Sequence, residues 1–317
     1  MTSEFDIIRK YFTRKNSVAL GIGDDAALID VAHGHQLVVS TDMLVSERHF
    51  FAAVDPFKLG HKSLAVNLSD MAAMGALPRW ATLSLALPDA SDKWLKNFSD
   101  GFFALADKFN VALIGGDTTK GPLNICVTIM GEIKPGAALR RDGAKVGDEI
   151  WVSGALGDAA LALAVLQSRL SLNPDELAQC ELALHMPQPQ VALGLALRGI
   201  AHSAIDISDG LLADLSHILE RSKLGAEIYF DKLPTSAVMQ NKLSEPVAQQ
   251  CVLAGGDDYQ LCFTAPLTLH EQVLKAGKSV NVALACIGRT VADNRLTLFD
   301  ADNRPMKTPT KGFDHFA

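Results

Sequence analysis

Short apolar runs along this chain alternate with segments in which apolar residues recur at helical spacing. The runs end in Gly, Asp or Ser, a pattern typical of largely buried strands. The predicted strands are Gln36–Ser40, Trp80–Leu87, Val111–Ile114, Ile125–Met130, Glu149–Val152, Glu227–Phe230 and Leu261–Phe263.

Helical spacing follows four candidate helix starts. Asp55 and Pro56 combine a capping residue with a proline in the first turn, which favours a helix start there. The other predicted helices begin near Ser91, Pro189 and Leu211. Because strands and helices are interspersed, the sequence predicts an α/β or α+β fold.

The chain has 317 residues, which at roughly 150 residues per domain predicts about two domains. The segment 134–148 is rich in glycine and charge, lacks periodicity and falls near the middle of the chain. We therefore place the boundary there, between an N-terminal domain, 1–137, and a C-terminal domain, 147–317.

Composition narrows the class of protein. Hydrophobic residues make up 48% and charged residues 21%, as in ordinary folded domains. The net charge of −7, with no basic run, argues against nucleic acid as a partner. Five scattered cysteines without a C-x-x-C pair predict reduced, mostly buried thiols. The longest apolar run, 159–166, is too short to span a membrane, so we expect a cytoplasmic protein.

Acidic residues recur in turns that are expected at strand or helix ends. The six phrases are GIGDDA (21–26), STD (40–42), NLSD (67–70), GGDTT (115–119), DISDG (206–210) and GGDDY (255–259). Each one alone is explained by the ordinary use of Asp, Gly and Ser in loops and caps. If they converge, two carboxylates 4 Å apart repel by about 4 kcal/mol at an effective dielectric near 20, so the group needs cations. Oxygen ligands without a His/Cys pattern favour Mg²⁺.

Magnesium held by few carboxylates usually completes its shell with water and phosphate oxygens, which indicates a polyphosphate ligand. The pairs Gly115-Gly116 and Gly255-Gly256 would let backbone N–H groups approach phosphates, although such pairs also form ordinary turns. The chain contains no P-loop, protein-kinase or nucleophile-elbow motif.

Seven phrases, in order, resemble the bacterial thiamine-monophosphate kinases: GIGDDAA, STDMLVSERHF, NLSDMAAMGA, IGGDTT, SAIDISDGL, AGGDDYQLCF and KGFDHF. The resemblance runs from Phe5 to Phe316. Several of the phrases are shared with a wider superfamily that includes aminoimidazole ribonucleotide synthetase and selenophosphate synthetase. The resemblance implies an N-terminal mixed-sheet α/β domain for dimerisation and for metal and ATP binding, and a C-terminal α/β sandwich domain.

The resemblance also implies a reaction and its residues. The γ-phosphoryl group of ATP would pass to thiamine monophosphate, with several Mg²⁺ ions, in a cytoplasmic homodimer that completes thiamine diphosphate biosynthesis. The implied metal ligands are Asp25, Ser40, Thr41, Asp42, Asp70, Asp117, Asp206 and Asp209. The implied ATP contacts are Gly116, Arg141 and Ser208, and the implied contacts to thiamine monophosphate are His49, Asp257 and Phe313.

Two positions depart from the family pattern. Asp257 stands where glutamate is usual, and Phe313 stands where Tyr or Trp is common. No residue is expected to act as a covalent nucleophile or as an acid or base, because the acceptor phosphate is already anionic near neutral pH. The alternatives are another ATP-dependent reaction of the superfamily, a nucleotide-sensing homodimer without turnover, and a two-metal phosphohydrolase.

Overall fold

Two β-sheets, each accompanied by helices, organise the chain. The computed structural model describes residues 3–14 and 20–307. Unit 1, Met1–Met71 with Ala76–Gly136, contains a four-stranded sheet, and unit 2, Ala72–Gly75 with Ala137–Ala317, contains a six-stranded sheet. The predicted mixed α/β class is confirmed.

The strands are β1 Gln36–Val45, β2 Leu77–Leu87, β3 Ala112–Lys120, β4 Asn124–Ile133, β5 Asp148–Ser153, β6 Ser203–Asp206, β7 Gly225–Tyr229, β8 Leu261–Pro266, β9 Leu284–Val291 and β10 Leu296–Phe299. Each strand predicted from an apolar run is present, with shifted ends. The sequence reading did not predict β6, β9 or β10.

The helices are α1 Glu4–Ile7, α2 Pro56–Ala73, α3 Asp92–Phe109, α4 Asp158–Leu166, α5 Pro174–His185, α6 Val191–Ala196, α7 Leu211–Ser222, α8 Ala237–Gln240, α9 Pro246–Ala254 and α10 His270–Ser279. A π-helical turn, Ile8–Phe12, continues α1. Two short 3₁₀ turns cover Phe230–Lys232 and Leu267–Leu269. No helix among the described residues is long and apolar enough to cross a membrane.

The sheet of unit 1 has the order β1-β4-β2-β3, in which β2 and β3 run parallel and the other neighbours antiparallel. Helices α2 and α3 supply core side chains such as Leu64, Leu68 and Phe98, all fully buried. As predicted, Ser91 caps α3, with its hydroxyl accepting the Trp94 N–H at 3.4 Å. The apolar stripes of these helices therefore form the core of the unit, as their spacing predicts.

The sheet of unit 2 has the order β10-β7-β9-β5-β8-β6. Only the β10–β7 pair is parallel. Its core joins residues of the strands to α4, α7 and α9, with Val152, Leu161, Leu215 and Val252 almost completely buried. The apolar run 159–166 is thus a short core helix.

Three local predictions differ from the structure. Ser40–Asp42 does not form a turn after a strand, because β1 continues to Val45 and pairs with β4 through this segment. Asp117 likewise lies within β3 and not beyond its end. Pairing with a neighbouring strand here outweighs the turn preference of Asp and Ser. The helix predicted from Pro189 begins at Val191.

Candidate active site

A pocket of about 830 Å³ in unit 1 contains three of the residues singled out in the sequence. Asp25, Gly116 and Asp117 line it together with Asp24. The lining also includes apolar side chains of the N-terminal segment, Phe5, Ile8 and Phe12. The pocket therefore combines carboxylates with an apolar wall, as in sites that bind a ligand with charged and apolar parts.

Gly116 has a backbone conformation that only glycine adopts without strain. Its φ is 145°, and a Cβ atom at this position would collide with the carbonyl group of Leu83 on the neighbouring strand. The adjacent Asp117 pairs with Ser84 of β2 and is exposed. The backbone of Gly116 and the carboxylate of Asp117 therefore reach the pocket side by side on β3.

A second group in unit 1 lies where α2 meets β1. The Ser40 hydroxyl donates to Asp70 Oδ2 at 2.5 Å. Asp42, two residues further along β1, lies on the same face of the strand as Ser40. Thr41 lies on the other face, where its Oγ1 is 2.6 Å from Thr128 Oγ1. The hydroxyl of Thr41 therefore points away from the Ser40–Asp70 pair.

His49 lies in the short turn that follows β1. The ring Nδ1 of His49 accepts the backbone N–H of Val45 at 3.0 Å, and the backbone N–H of His49 donates to the Val45 carbonyl at 3.0 Å. A ring nitrogen that accepts a hydrogen bond carries no proton, so the contact fixes both the orientation and the tautomer of the neutral imidazole. The ring is held at the end of the strand that carries Ser40 and Asp42.

Two loops of unit 2 bring together four further candidates. Asp206 ends β6, and the loop 207–210 follows it with Ser208 and Asp209. The second loop, 255–260, precedes β8. The Asp257 N–H donates to the Ser208 carbonyl at 2.9 Å, and the Tyr259 N–H donates to the Ile207 carbonyl at 2.8 Å. Ser208, Asp209 and Asp257 therefore lie on two hydrogen-bonded loops, with Asp206 at the end of the strand that leads into the first.

The close approach of these loops depends on Gly256. A Cβ atom there would collide with the Ser208 carbonyl. Asp257 has a φ of 68° and Tyr259 one of 49°, so both residues adopt the left-handed region. Between them, Asp258 accepts the Gly157 N–H with both carboxylate oxygens, at 2.9 and 3.0 Å. That contact ties the second loop to the start of α4.

Asp214 of α7 was not predicted as a functional residue. It is 3% exposed, and its Oδ2 accepts the N–H groups of Ser208, Asp209 and Gly210 at 3.0, 3.0 and 3.1 Å. Burial raises the pKa of the Asp214 carboxyl to about 7, although the amide donors act in the opposite direction. The sequence contains one signal for it, an aspartate on the otherwise apolar face of a predicted helix.

Arg141 and Phe313 are placed differently. Arg141 has an exposed side chain in unit 2, and its carbonyl accepts the Ser222 hydroxyl at 3.0 Å. Its neighbour Arg140 is paired with Asp142 at 2.6 Å. Phe313 lies outside the described residues.

The oxygen donors named in the sequence lie in three groups: the pocket of unit 1, the Ser40–Asp70 pair with Asp42, and the loops of unit 2. Across residues 3–14 and 20–307, no three His, Cys, Asp or Glu side chains are close enough together to hold a metal ion by themselves. Mg²⁺ commonly takes only one or two carboxylates and fills its shell with water and phosphate. Hard oxygen donors in small groups therefore fit that ion.

Two family models match the chain. The model described as AIR synthase related protein, N-terminal domain, matches residues 23–133, and the corresponding C-terminal domain model matches residues 145–301. Together they define the class as a two-domain AIR synthase-related protein.

Among curated relatives, the thiamine-monophosphate kinase of Salmonella typhimurium is 46% identical over 99% of this chain and 98% of its own length. A crystal structure of thiamine-monophosphate kinase from Stenotrophomonas maltophilia is 47% identical, with a TM-score of 0.86, over 95% of this chain and 96% of that one. AaThiL complexed with AMPPCP and TMP is 31% identical, with a TM-score of 0.78, over 98% of this chain and 96% of that one. The chain belongs to the thiamine-monophosphate kinase family, and the predicted resemblance is confirmed.

Proposed function

We propose that this protein transfers the γ-phosphoryl group of ATP to thiamine monophosphate and releases thiamine diphosphate and ADP, the final step of thiamine diphosphate biosynthesis. The observation that carries this function is the 46% identity to a thiamine-monophosphate kinase over nearly the whole of both chains. A family member in complex with AMPPCP and TMP supports the same pair of substrates. AMPPCP is an analogue of ATP that has a carbon in place of the β–γ bridging oxygen. This relative therefore binds an ATP analogue together with TMP.

Several Mg²⁺ ions would neutralise the charge that builds up between donor and acceptor phosphates. Their proposed ligands are Asp25, Ser40, Thr41, Asp42, Asp70, Asp117, Asp206 and Asp209. The Ser40–Asp70 hydrogen bond supports this assignment, because it orients one carboxylate oxygen towards a strand that also carries Asp42. The Thr41 hydroxyl is hydrogen-bonded to Thr128 on the other face of β1, so it is the least supported member of this set.

A further set of residues would hold the substrates. Gly116, Arg141 and Ser208 are the proposed ATP contacts, and Gly116 would allow a phosphate to approach the backbone of β3. His49, Asp257 and Phe313 are the proposed contacts to thiamine monophosphate. The His49 ring is held by Val45 in a form whose Nε2 carries the proton, which suits donation to a phosphate oxygen.

No residue needs to remove a proton in this reaction. The acceptor oxygen of thiamine monophosphate is already anionic near neutral pH, so the protein has to position it in line with the γ-phosphoryl group and to offset the repulsion. The atoms balance without a further reactant: the acceptor oxygen forms the new bond to phosphorus, and ADP leaves with the electrons of the old one. The carboxylates then serve as metal ligands and not as general bases.

We also propose a homodimer, located in the cytoplasm. One face of the unit 1 sheet carries exposed apolar side chains along its edge strand, with Leu37, Val39 and Met43 exposed by 42, 56 and 53%. Several exposed apolar side chains on one face of a strand are typical of an interface between protein chains. In a two-fold dimer the same patch would meet its own copy.

The test is to incubate the protein with Mg-ATP and thiamine monophosphate and to follow thiamine diphosphate by thiochrome fluorescence. We expect product only when all three components are present. ADP without an acceptor would favour a phosphohydrolase, nucleotide binding without product would favour a sensor, and turnover with a different acceptor would favour another reaction of the superfamily.

The Asp42→Asn variant tests the metal assignment. We expect kcat to fall by about 100-fold or more with an unchanged thermal unfolding midpoint, because the amide is a weaker ligand for Mg²⁺. Asp107→Asn is the matched control, since Asp107 is an exposed carboxylate of the same unit that pairs with Arg14. Equal turnover in the two variants would exclude Asp42 as a ligand.

A further inference from the structure

The buried carboxylate of Asp214 is connected to the loop 207–210 more extensively than a helix-capping residue requires. It lies one turn into α7, between the buried side chains of Leu211 and Leu215. A single oxygen, Oδ2, accepts N–H groups from three consecutive residues, Ser208, Asp209 and Gly210. The Asp214 N–H in turn donates to the Gly210 carbonyl at 3.0 Å.

These contacts stabilise a carboxylate in a buried position. Removing a carboxylate from water is costly unless donors replace the lost water, and three amides together with the first turn of a helix provide such donors. The carboxylate in turn fixes the direction of these three N–H groups. Because three successive N–H groups point at one atom, the backbone between Ser208 and Gly210 has little freedom to rotate.

The contacts with Asp214 also affect the side chains of the loop 207–210. The backbone conformation fixed by Asp214 determines where Ser208 and Asp209 direct their side chains. It also presents the Ser208 carbonyl to the Asp257 N–H at 2.9 Å, which couples the second loop to the first. One buried residue thus holds the loop 207–210 and, through the Ser208 carbonyl, contributes to the position of the second loop.

We propose that Asp214 is a positioning residue that holds the loop 207–210 ready to bind magnesium nucleotide. This inference rests on the proposed function, in which Ser208 contacts ATP and Asp209 binds metal. Its three contacts to the loop run to backbone amides, so the proposed role acts through the loop and not on the ligand directly. Its removal weakens binding by releasing the loop.

The test compares Asp214→Ala, Asp214→Asn and a matched control, Asp148→Ala. Asp148 is also 3% exposed and lies in the same unit, but it is hydrogen-bonded to Lys145 and His202 and not to the loop 207–210. Two quantities are measured: the affinity for the magnesium complex of AMPPCP by calorimetry, and the Mg²⁺ concentration for half-maximal turnover. The midpoint of thermal unfolding is recorded for every variant.

We expect Asp214→Ala to weaken nucleotide binding, and to raise the half-saturating Mg²⁺ concentration, by about tenfold or more, the usual range for residues that orient metal ligands. Asp214→Asn should stay within about threefold of the wild type, because its carbonyl oxygen can accept the same amides. Asp148→Ala should lower the unfolding midpoint without changing either quantity. If Asp214→Ala does not fold, Asp214→Ser takes its place, since its shorter side chain reaches fewer amides.

Wild-type values for both Mg²⁺ and nucleotide in Asp214→Ala, or shifts equal to those of Asp148→Ala, would overturn the positioning role. Absence of thiamine diphosphate with the wild-type protein would instead overturn the proposed function. The calorimetric comparison does not depend on turnover, so the two failures are separate observations.

Discussion

Three of the five cysteine residues are deeply buried in unit 2. Cys180 and Cys262 are fully buried and Cys251 is 5% exposed. Burial raises the pKa of the Cys180 thiol to about 12 and that of Cys251 to about 11, and it raises the pKa of Cys262 further. A thiol in this environment remains protonated at neutral pH and is a poor nucleophile. The expectation of reduced, mostly buried thiols agrees with this arrangement.

We therefore predict that a thiol reagent such as iodoacetamide at pH 8 modifies the native protein only at Cys126 and Cys286. Both are partly exposed, and their raised pKa values make even this reaction slow. In denaturant all five cysteines should react. Mass spectrometry of proteolytic peptides locates the modified residues, and rapid labelling of Cys262 in the native state would contradict the packing of β8.

At single residues, sequence patterns identify candidate ligands more readily than residues that hold a loop in position. Asp42 and Asp117 stand in phrases of polar and small residues, a pattern that marks them as candidate ligands. Asp214 stands between Ala213 and Leu215, and its three amide partners come close to it only when the loop 208–210 folds over the start of the helix. Residues that act through backbone contacts leave little mark on hydrophobic periodicity.

The strand β3 contains a pair of glycines with different roles. Gly116 has a φ of 145° and lies against the Leu83 carbonyl, whereas a Cβ at Gly115 would meet only the Thr82 methyl group at an ordinary 3.8 Å. We predict that Gly116→Ala lowers the free energy of unfolding by about 1–3 kcal/mol or more, the cost of a strained backbone plus the collision. Urea denaturation measures the difference.

Gly115→Ala is the matched control for that experiment. It removes a glycine from the same strand without a collision, so we expect it to be neutral or to stabilise the protein by up to about 1 kcal/mol through the unfolded chain. Equal losses in both variants would mean that the glycine pair is needed for flexibility and not for the local geometry of β3.

Element positions were predictable where one physical signal dominated. The apolar run Trp80–Leu87 is a central strand, and the cap at Ser91 begins a helix as predicted. The predicted end of β1 at Ser40 was wrong, because the residues after it also pair with β4, a strand that is distant in the sequence. Strand β6, Ser203–Asp206, was missed because it contains only two apolar residues and so forms no apolar run. Long-range pairing is the information that local periodicity lacks.

For the molecule as a whole, motif order predicted the family but not the assembly of the site. Phrases far apart in sequence lie together within each unit, as Asp25 does with Asp117 in one pocket and Ser208 with Asp257 on two loops. Spacing alone left each phrase open as an ordinary turn, and the roles that the resemblance gives to these residues stay predictions. The division into domains 1–137 and 147–317 stays a prediction.

The proposed homodimer can be tested on the exposed face of the unit 1 sheet. Val39 is 56% exposed and lies between Leu37 and Met43 on the edge strand β1. We predict that Val39→Glu shifts the protein from dimer to monomer in size-exclusion chromatography with light scattering. A two-fold interface brings the new charge close to its own copy, so one substitution places two carboxylates in an apolar contact.

Leu267→Glu is the control for this change. Leu267 is 66% exposed and lies in a short 3₁₀ turn of unit 2. The substitution therefore adds the same charge away from the exposed face of the unit 1 sheet. It should leave the dimer intact. A monomeric wild type at micromolar concentration, or a Val39→Glu variant that stays dimeric, would remove this face from the interface. A monomer that keeps its turnover would further show that each chain carries a complete site.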